Sequence, residues 1–189
     1  ELLHGAPRRP AQLRARQEAP PGANKVTPSP FPRAANLGSA ALCPITDEAR
    51  RGLAAALASM PPWSTLAISE DDLSRFLATE DEGSQRYAIT LGGVTAGVVC
   101  TRFPWLKGPY IELLALLPGQ QGRGLGTQVL SFIEAQARQA GTRNVWVCAS
   151  QFNSGARRFY ERQGFVDVGH LPDLVTDGFA EMLLRKMLT

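Results

Sequence analysis

Histidine and cysteine are scarce in this sequence: it has two histidines, His4 and His170, and three cysteines, Cys43, Cys100 and Cys148. The cysteines are far apart, odd in number and set at no metal-ligand spacing, which argues against a zinc site and against a disulfide framework. They read as buried thiols in a reducing, cytoplasmic compartment. No run approaches the roughly 20 uninterrupted apolar residues of a membrane span, so no membrane partner is expected. Gly-Lys followed by Ser or Thr, which a Walker phosphate loop requires, occurs nowhere, and no internal repeat is visible.

The formal net charge of +3 is unevenly spread. Residues 1–40 hold six basic residues (Arg8, Arg9, Arg14, Arg16, Lys25, Arg33) against Glu1 and Glu18, whereas residues 41–189 hold fourteen basic against fifteen acidic. A nucleic-acid binder carries its basic patch on the folded domain, so nucleic acid is not an expected partner. The same 40 residues contain seven prolines and no apolar periodicity, which predicts a mobile, Pro-rich basic arm ahead of one domain over 41–189. Apolar content of 44% suits a soluble globular domain.

Within the domain, Leu42–Ile45 reads as a short strand. A helix over 47–59 follows, with Ala49, Leu53, Ala56 and Leu57 at helical spacing and Thr46 or Asp47 as cap. A second helix over 70–78 opens with Ser69 and three acids, which suit the positive end of a helix. Strands over 86–91 and 94–101 flank Gly92-Gly93, a hairpin signal. A loop holding Pro104 and Gly108-Pro109 leads to a strand over 110–117, a helix over 124–140, a strand over 144–149 and a helix over 153–163. Two closing strands, 165–168 and 179–187, surround a turn over 172–178. The order β-α-α-β-β-β-α-β-α-β-β predicts a mixed α/β (α+β) fold, a mostly antiparallel sheet with helices on both faces.

The segment between the strand over 110–117 and the next helix is the informative one. Gly122, Gly124 and Gly126 remove side chains that would block approach to the backbone, and the helix start after them presents unpaired N–H groups. Strand, glycine-rich loop and helix N-terminus together make an anion cradle fitted to a pyrophosphate. The spacing departs from a dinucleotide loop, since Thr127 stands after Gly122-x-Gly124-x-Gly126 where the third glycine is not in register. A glycine-rich turn that only lets helix and sheet pack closely is the plainer alternative.

Gln121-x-x-Gly124-x-Gly126, preceded by Leu114-Ala115-Leu116-x-Pro118, resembles the acetyl-CoA motif of the GNAT acetyltransferase superfamily. Asn153-x-x-Ala156-x-x-Phe159-Tyr160-x-x-x-Gly164-Phe165, 27 residues further on, resembles the second signature of that family. The resemblance spans about 41–189 and implies a GNAT-type fold, acetyl-CoA as cosubstrate and an amine as acceptor, either a small molecule or a protein N-terminus or lysine. It further implies that the main chain of Leu114, Ala115 and Leu116 pairs with the pantetheine arm as an added strand. In the same reading the amides of Gly122, Arg123, Gly124, Leu125, Gly126 and Thr127, after Gln121, hold the pyrophosphate. Asn153 bonds the cosubstrate, though capping its helix accounts for it equally. Tyr160 donates a proton to the departing thiolate, or is simply a packed helix aromatic. The Leu116 N–H faces the thioester oxygen, where negative charge develops.

The attacking amine must be neutral. Deprotonating a lysine-like amine at pH 7 costs about 4–5 kcal/mol, and an α-amine about 1 kcal/mol. Glu112, on the strand entering the glycine loop, is the expected base, with a solvated strand-end carboxylate as the alternative. Alanine N-terminal acetyltransferases of this family carry a glutamate where this chain has Cys148, which shifts that burden to Glu112 or a water chain. Trp63, Trp105 and His170 fall in or near loops that border the acceptor's expected place, and Asp173, Asp177 and Glu181 carry charges that attract a cation. No metal is expected, and a homodimer is compatible with the sequence. A non-catalytic acetyl-CoA-binding regulatory domain is the alternative function.

Overall fold

A computed structural model describes residues 29–189. The elements in chain order are β1 Ala35–Asn36, β2 Ala40–Pro44, α1 Asp47–Ala58, α2 Glu70–Ala78, β3 Ser84–Leu91, β4 Val94–Trp105, β5 Gly108–Leu116, α3 Leu125–Gln139, β6 Asn144–Ser150, α4 Ser154–Arg162, β7 Val166–Pro172 and β8 Ala180–Met187. Eight strands form one sheet in the order β1-β2-β3-β4-β5-β6-β8-β7. All pairings are antiparallel except β5 with β6. The mixed, mostly antiparallel sheet is the expected one.

Helices cover both faces. On one, Leu53 and Leu57 of α1 and Leu73 and Leu77 of α2 pack on Val98, Cys100, Leu113 and Ala115. On the other, Val129, Leu130 and Ile133 of α3 and Tyr160 of α4 pack on Tyr87, Val99 and Ile111. Val98 and Val99 thus serve opposite cores, as strand alternation requires. In β5 that alternation changes phase: Cys100 pairs with Leu113 and Thr101 with Ile111, leaving Glu112 as an extra residue in the ladder. Such a bulge re-aims the residue it contains and sends Ile111 and Leu113 to different faces.

Two expectations are corrected. Residues 29–40 are not part of a mobile arm: Phe31 is buried at 5% exposure, the Tyr87 hydroxyl donates to the Pro32 carbonyl at 2.5 Å, and β1 pairs with β2. A single large aromatic supplies the burial that a periodicity search over a Pro-rich stretch misses. The arm expected over 1–28 lies outside the described residues. The loop expected around Pro104 and Gly108-Pro109 is instead a tight hairpin end. The β4–β5 ladder is interrupted between Arg102 and Trp105, so the missing proline N–H costs no ladder bond. Leu106 and Lys107 form the turn with φ of 40° and 61°. The Trp146 indole and the Asn144 amide donate to their carbonyls at 3.2 and 3.1 Å, which holds this uncommon backbone in place.

Candidate functional site

β5 and β6 run side by side only at Tyr110–Trp146 and Ile111–Val147. Beyond these pairs β5 stays with β4 up to Leu116, while β6 stays with β8 up to Ser150. The two central strands therefore part, and the ends of α3 and α4 face the opening. A groove of about 600 Å³ occupies this place.

One wall of the groove is the glycine loop. Gly124 has φ of 78° and forms the N-cap of α3 without a side-chain hydrogen bond. An L-residue there would sit in left-handed backbone at a cost of about 1–2 kcal/mol. The N–H groups of Gly122, Gly124, Leu125, Gly126 and Thr127 find no acceptor among the described residues. Gly126 also meets α4: a Cβ built on it lies 3.0 Å from the Phe159 ring, so the absent side chain lets the two helices close behind the loop. Unpartnered amides at the positive end of α3, with no side chain over them, fit a diphosphate.

Leu114, Ala115, Leu116, Gln121, Gly122, Gly124, Leu125, Gly126 and Thr127 all line the groove, as do Asn153 and Tyr160 from the other side. The structure thus brings together every expected cosubstrate residue except Arg123, whose guanidinium donates to Gln120 Oε1 at 2.9 Å. The Gln121 amide reaches back to the Leu116 carbonyl at 3.3 Å. Asn153 Oδ1 accepts from the Ala156 N–H at 3.1 Å and so caps α4. Its amide nitrogen has no partner among the described residues. Tyr160 is 5% exposed, and the rings of Phe159 and Phe165 approach it at 5.2 and 5.3 Å. Burial raises its phenol above the ordinary tyrosine range, so it stays protonated.

Glu112 does not border this groove. It lines a second cavity of about 380 Å³ that meets the first at Trp63, Leu114, Asn153 and Tyr160. Arg102 Nε donates to Glu112 Oε1 at 2.7 Å, while Oε2 is buried without a partner. Arg102 also donates to Asp81 at 3.0 Å. On the far side are Tyr110, Cys148 and Glu181. Tyr110 stacks on Trp105 with ring centroids 4.6 Å apart, and burial raises its hydroxyl. Burial raises the Cys148 thiol too, with Glu181 adding to the rise and the Tyr110 hydroxyl opposing it, so Cys148 is not a ready thiolate nucleophile.

Of the loop residues picked out from sequence, Trp63 lies at the junction of the cavities, while Trp105 stacks on Tyr110 and lines neither cavity. His170 is exposed on β7, with Nε2 3.4 Å from Gln151 Oε1, and lines neither cavity. Glu181 was expected only as a charge near the last turn. It is instead 6% exposed within β8, opposite Ser150. Its sequence signal is weak, because the position depends on β8 inserting between β6 and β7.

The model of the acetyltransferase (GNAT) family matches residues 47–165. The chain is 34% identical to an acetyltransferase of Agrobacterium fabrum over 82 residues, a match covering 43% of this chain and 56% of that one. It is 28% identical over 92 residues to the streptothricin acetyltransferase of Streptomyces lavendulae, covering 48% of this chain and 49% of the relative. The chain therefore spans about half the length of these two curated relatives. The solved structure of a Bacillus anthracis acetyltransferase in complex with acetyl coenzyme A shares the fold, with a TM-score of 0.53 at 17% identity over 58% of this chain and 65% of that one. GNAT acetyltransferases use acetyl-CoA and act on amine acceptors. With the family model covering more than half of its length, this chain belongs to the GNAT acetyltransferase family.

Proposed function

We propose that this protein transfers an acetyl group from acetyl-CoA directly to a primary amine, within a unit formed by residues 29–189. The observation that carries the reading is the meeting of two cavities at Tyr160 and Leu114, one walled by unpartnered loop amides and the other by carboxylates. A domain that only bound acetyl-CoA would have no need of the second cavity.

In this reading the amides of Gly122–Thr127 hold the diphosphate, and the edge of Leu114–Leu116 left open by β6 pairs with the pantetheine arm. Asn153 bonds the arm through the amide nitrogen that capping leaves free. The bound cosubstrate supplies an acetyl group activated as a thioester. The Leu116 N–H stabilises charge on the carbonyl oxygen, and Tyr160, kept protonated by burial, donates to the departing sulfur. Glu112 was the expected base. Because Arg102 already anchors Oε1, we assign it instead to holding the acceptor ammonium through Oε2. Asp72, Glu112 and Glu181 line the acceptor cavity and, among the described residues, no Lys, Arg or His does, which favours a cationic acceptor. The streptothricin-modifying relative gives one acceptor worth including in a screen.

The test is acetyl-CoA-dependent thiol release over streptothricin, spermidine, benzylamine, lysine and an alanyl peptide, with calorimetric binding of acetyl-CoA alongside. The reading expects acetyl-CoA to bind and at least one amine to be acetylated. Tyr160→Phe should lower kcat by about 10²–10⁴-fold while leaving acetyl-CoA affinity within about twofold. Absence of acetyl-CoA binding overturns the proposal, and binding without turnover of any amine favours a regulatory module.

A further inference from the structure

Two carboxylates in the acceptor cavity each keep a buried oxygen without a hydrogen-bond partner among the described residues: Glu112 Oε2 and Glu181 Oε1. They are not equivalent. Glu112 is anchored to a guanidinium at 2.7 Å, whereas Glu181 makes no ion pair among the described residues and is 6% exposed. A native fold rarely leaves a buried carboxylate oxygen unsatisfied, since the group then loses its water without gaining a hydrogen bond in return. Such an oxygen is explained where it has a ligand to meet, and Glu181 lines the cavity that joins the loop-walled groove at Tyr160.

We propose that Glu181 is the general base of the reaction, taking a proton from the acceptor amine through Oε1 while Glu112 holds the ammonium in place. This inference rests on the acetyl-transfer reading and adds a residue to it. The proton balance closes on the chain's own groups. The ammonium gives one proton to Glu181, freeing the nitrogen lone pair that forms the C–N bond. As the C–S bond breaks, the Tyr160 hydroxyl protonates the sulfur. Tyr160 recovers a proton from the new amide nitrogen, and Glu181 releases the one it took to solvent.

The surroundings suit this role. Glu181 lies between β6 and β7, opposite Ser150 on one side and Leu171 on the other. The titratable groups facing it are Cys148 from β6 and Tyr110 and Glu112 from β5, with Asp72 from α2 lining the same cavity. On β7, His170 is exposed and bound to Gln151, and Asp167 is paired with Arg157 at 3.0 Å. Among the described residues no cation is paired with Glu181. Desolvation therefore raises its carboxyl above the ordinary range, against a smaller lowering effect of the Ser150 hydroxyl, and brings it closer to the working pH where a base is efficient.

The test compares wild type, Glu181→Gln and Glu112→Gln in the full chain, using the best amine of the panel above. We expect Glu181→Gln to cut kcat/KM by about 10²–10⁴-fold and to remove the lower acid limb of its pH profile, leaving only the limb of the amine itself. Acetyl-CoA affinity measured by calorimetry should stay within about twofold of wild type. A ¹³C-carboxyl NMR titration of the free protein, assigned through the same variant, should place Glu181 above the ordinary glutamate pKa of about 4.3. Unchanged kcat/KM and acid limb in Glu181→Gln overturn the inference while leaving acetyl transfer standing. An ordinary carboxylate titration for Glu181 overturns it even if no panel amine reacts. Loss of acetyl-CoA binding in wild type sinks the acetyl-transfer reading, and this inference falls with it.

Discussion

Arg102 Nε donates to Glu112 Oε1 at 2.7 Å, and the other oxygen of the same carboxylate is buried with nothing among the described residues to accept from. The bulge that makes Glu112 an extra residue between Ile111 and Leu113 sets this geometry. One oxygen is anchored by the guanidinium while the other is left for a ligand. Glu112→Gln should therefore act on acceptor binding more than on chemistry. Losing a charge-assisted bond of about 1.5–3 kcal/mol raises KM for the amine roughly 10- to 150-fold, with a smaller change in kcat. Steady-state kinetics with the amine varied at saturating acetyl-CoA checks this. A fall in kcat at unchanged KM would assign Glu112 to the chemical step.

The glycine loop carries its own test at Gly124, whose φ of 78° leaves open space where a Cβ would go. Gly124→Ala meets no steric clash, so its effect comes from the backbone alone. About 1–2 kcal/mol of left-handed strain is expected, read as a lower unfolding midpoint, and relief of that strain would turn the amides of the loop away from a diphosphate. Binding of adenosine 3′-phosphate 5′-diphosphate, which keeps the diphosphate and carries none of the pantetheine arm, should weaken along with binding of acetyl-CoA.

Phe31 tests where the folded unit begins. Phe31→Ala removes a side chain that packs at 6.1 Å from the Phe132 ring of α3, and should cost about 3–5 kcal/mol in urea unfolding. Tyr87→Phe, which removes only the donor to the Pro32 carbonyl, should cost about 0.5–1.5 kcal/mol. A Phe31→Ala protein as stable as wild type would return residues 29–40 to the arm.

Stability should depend on pH through Glu181. Its folded-state carboxyl is raised by desolvation, so the unfolded chain ionises it more readily. Stability from this group is therefore full below the unfolded pKa of about 4.3 and is lost as pH rises through the higher folded value. Glu181→Gln cannot ionise and should melt at a higher temperature than wild type at pH 8, with the difference closing near pH 4. A stabilised but inactive variant is the expected signature of a strained functional group. A lower melting temperature at pH 8 would mean that Glu181 is held by partners in the folded state.

How far the sequence alone reaches differs by element. Helix α2 is legible to the residue, because Ser69 caps it through the Asp72 N–H at 3.1 Å and acids fill its first turn. The glycine loop is legible because backbone requirements and sequence spacing coincide at Gly122, Gly124 and Gly126. Strand ends around Pro104 and Pro109 are not, since a proline tolerated at a ladder break reads the same as a proline in a loop. The acceptor cavity is the least legible part. Tyr110, Cys148 and Glu181 come from three strands distant in sequence, and only the order β5-β6-β8 brings them together. A carboxylate in the last strand carries no local mark of what it will face.

The central claim is that the bare amides opening α3 hold a diphosphate in the groove between β5 and α4. Titrating ¹⁵N-labelled protein with coenzyme A and following backbone amides by NMR tests it most directly. The largest shifts should fall on Gly122, Gly124, Leu125, Gly126 and Thr127, with smaller ones at Leu114–Leu116 and Asn153. Saturable coenzyme A binding that left those loop amides unmoved, or no binding at all, would contradict the account.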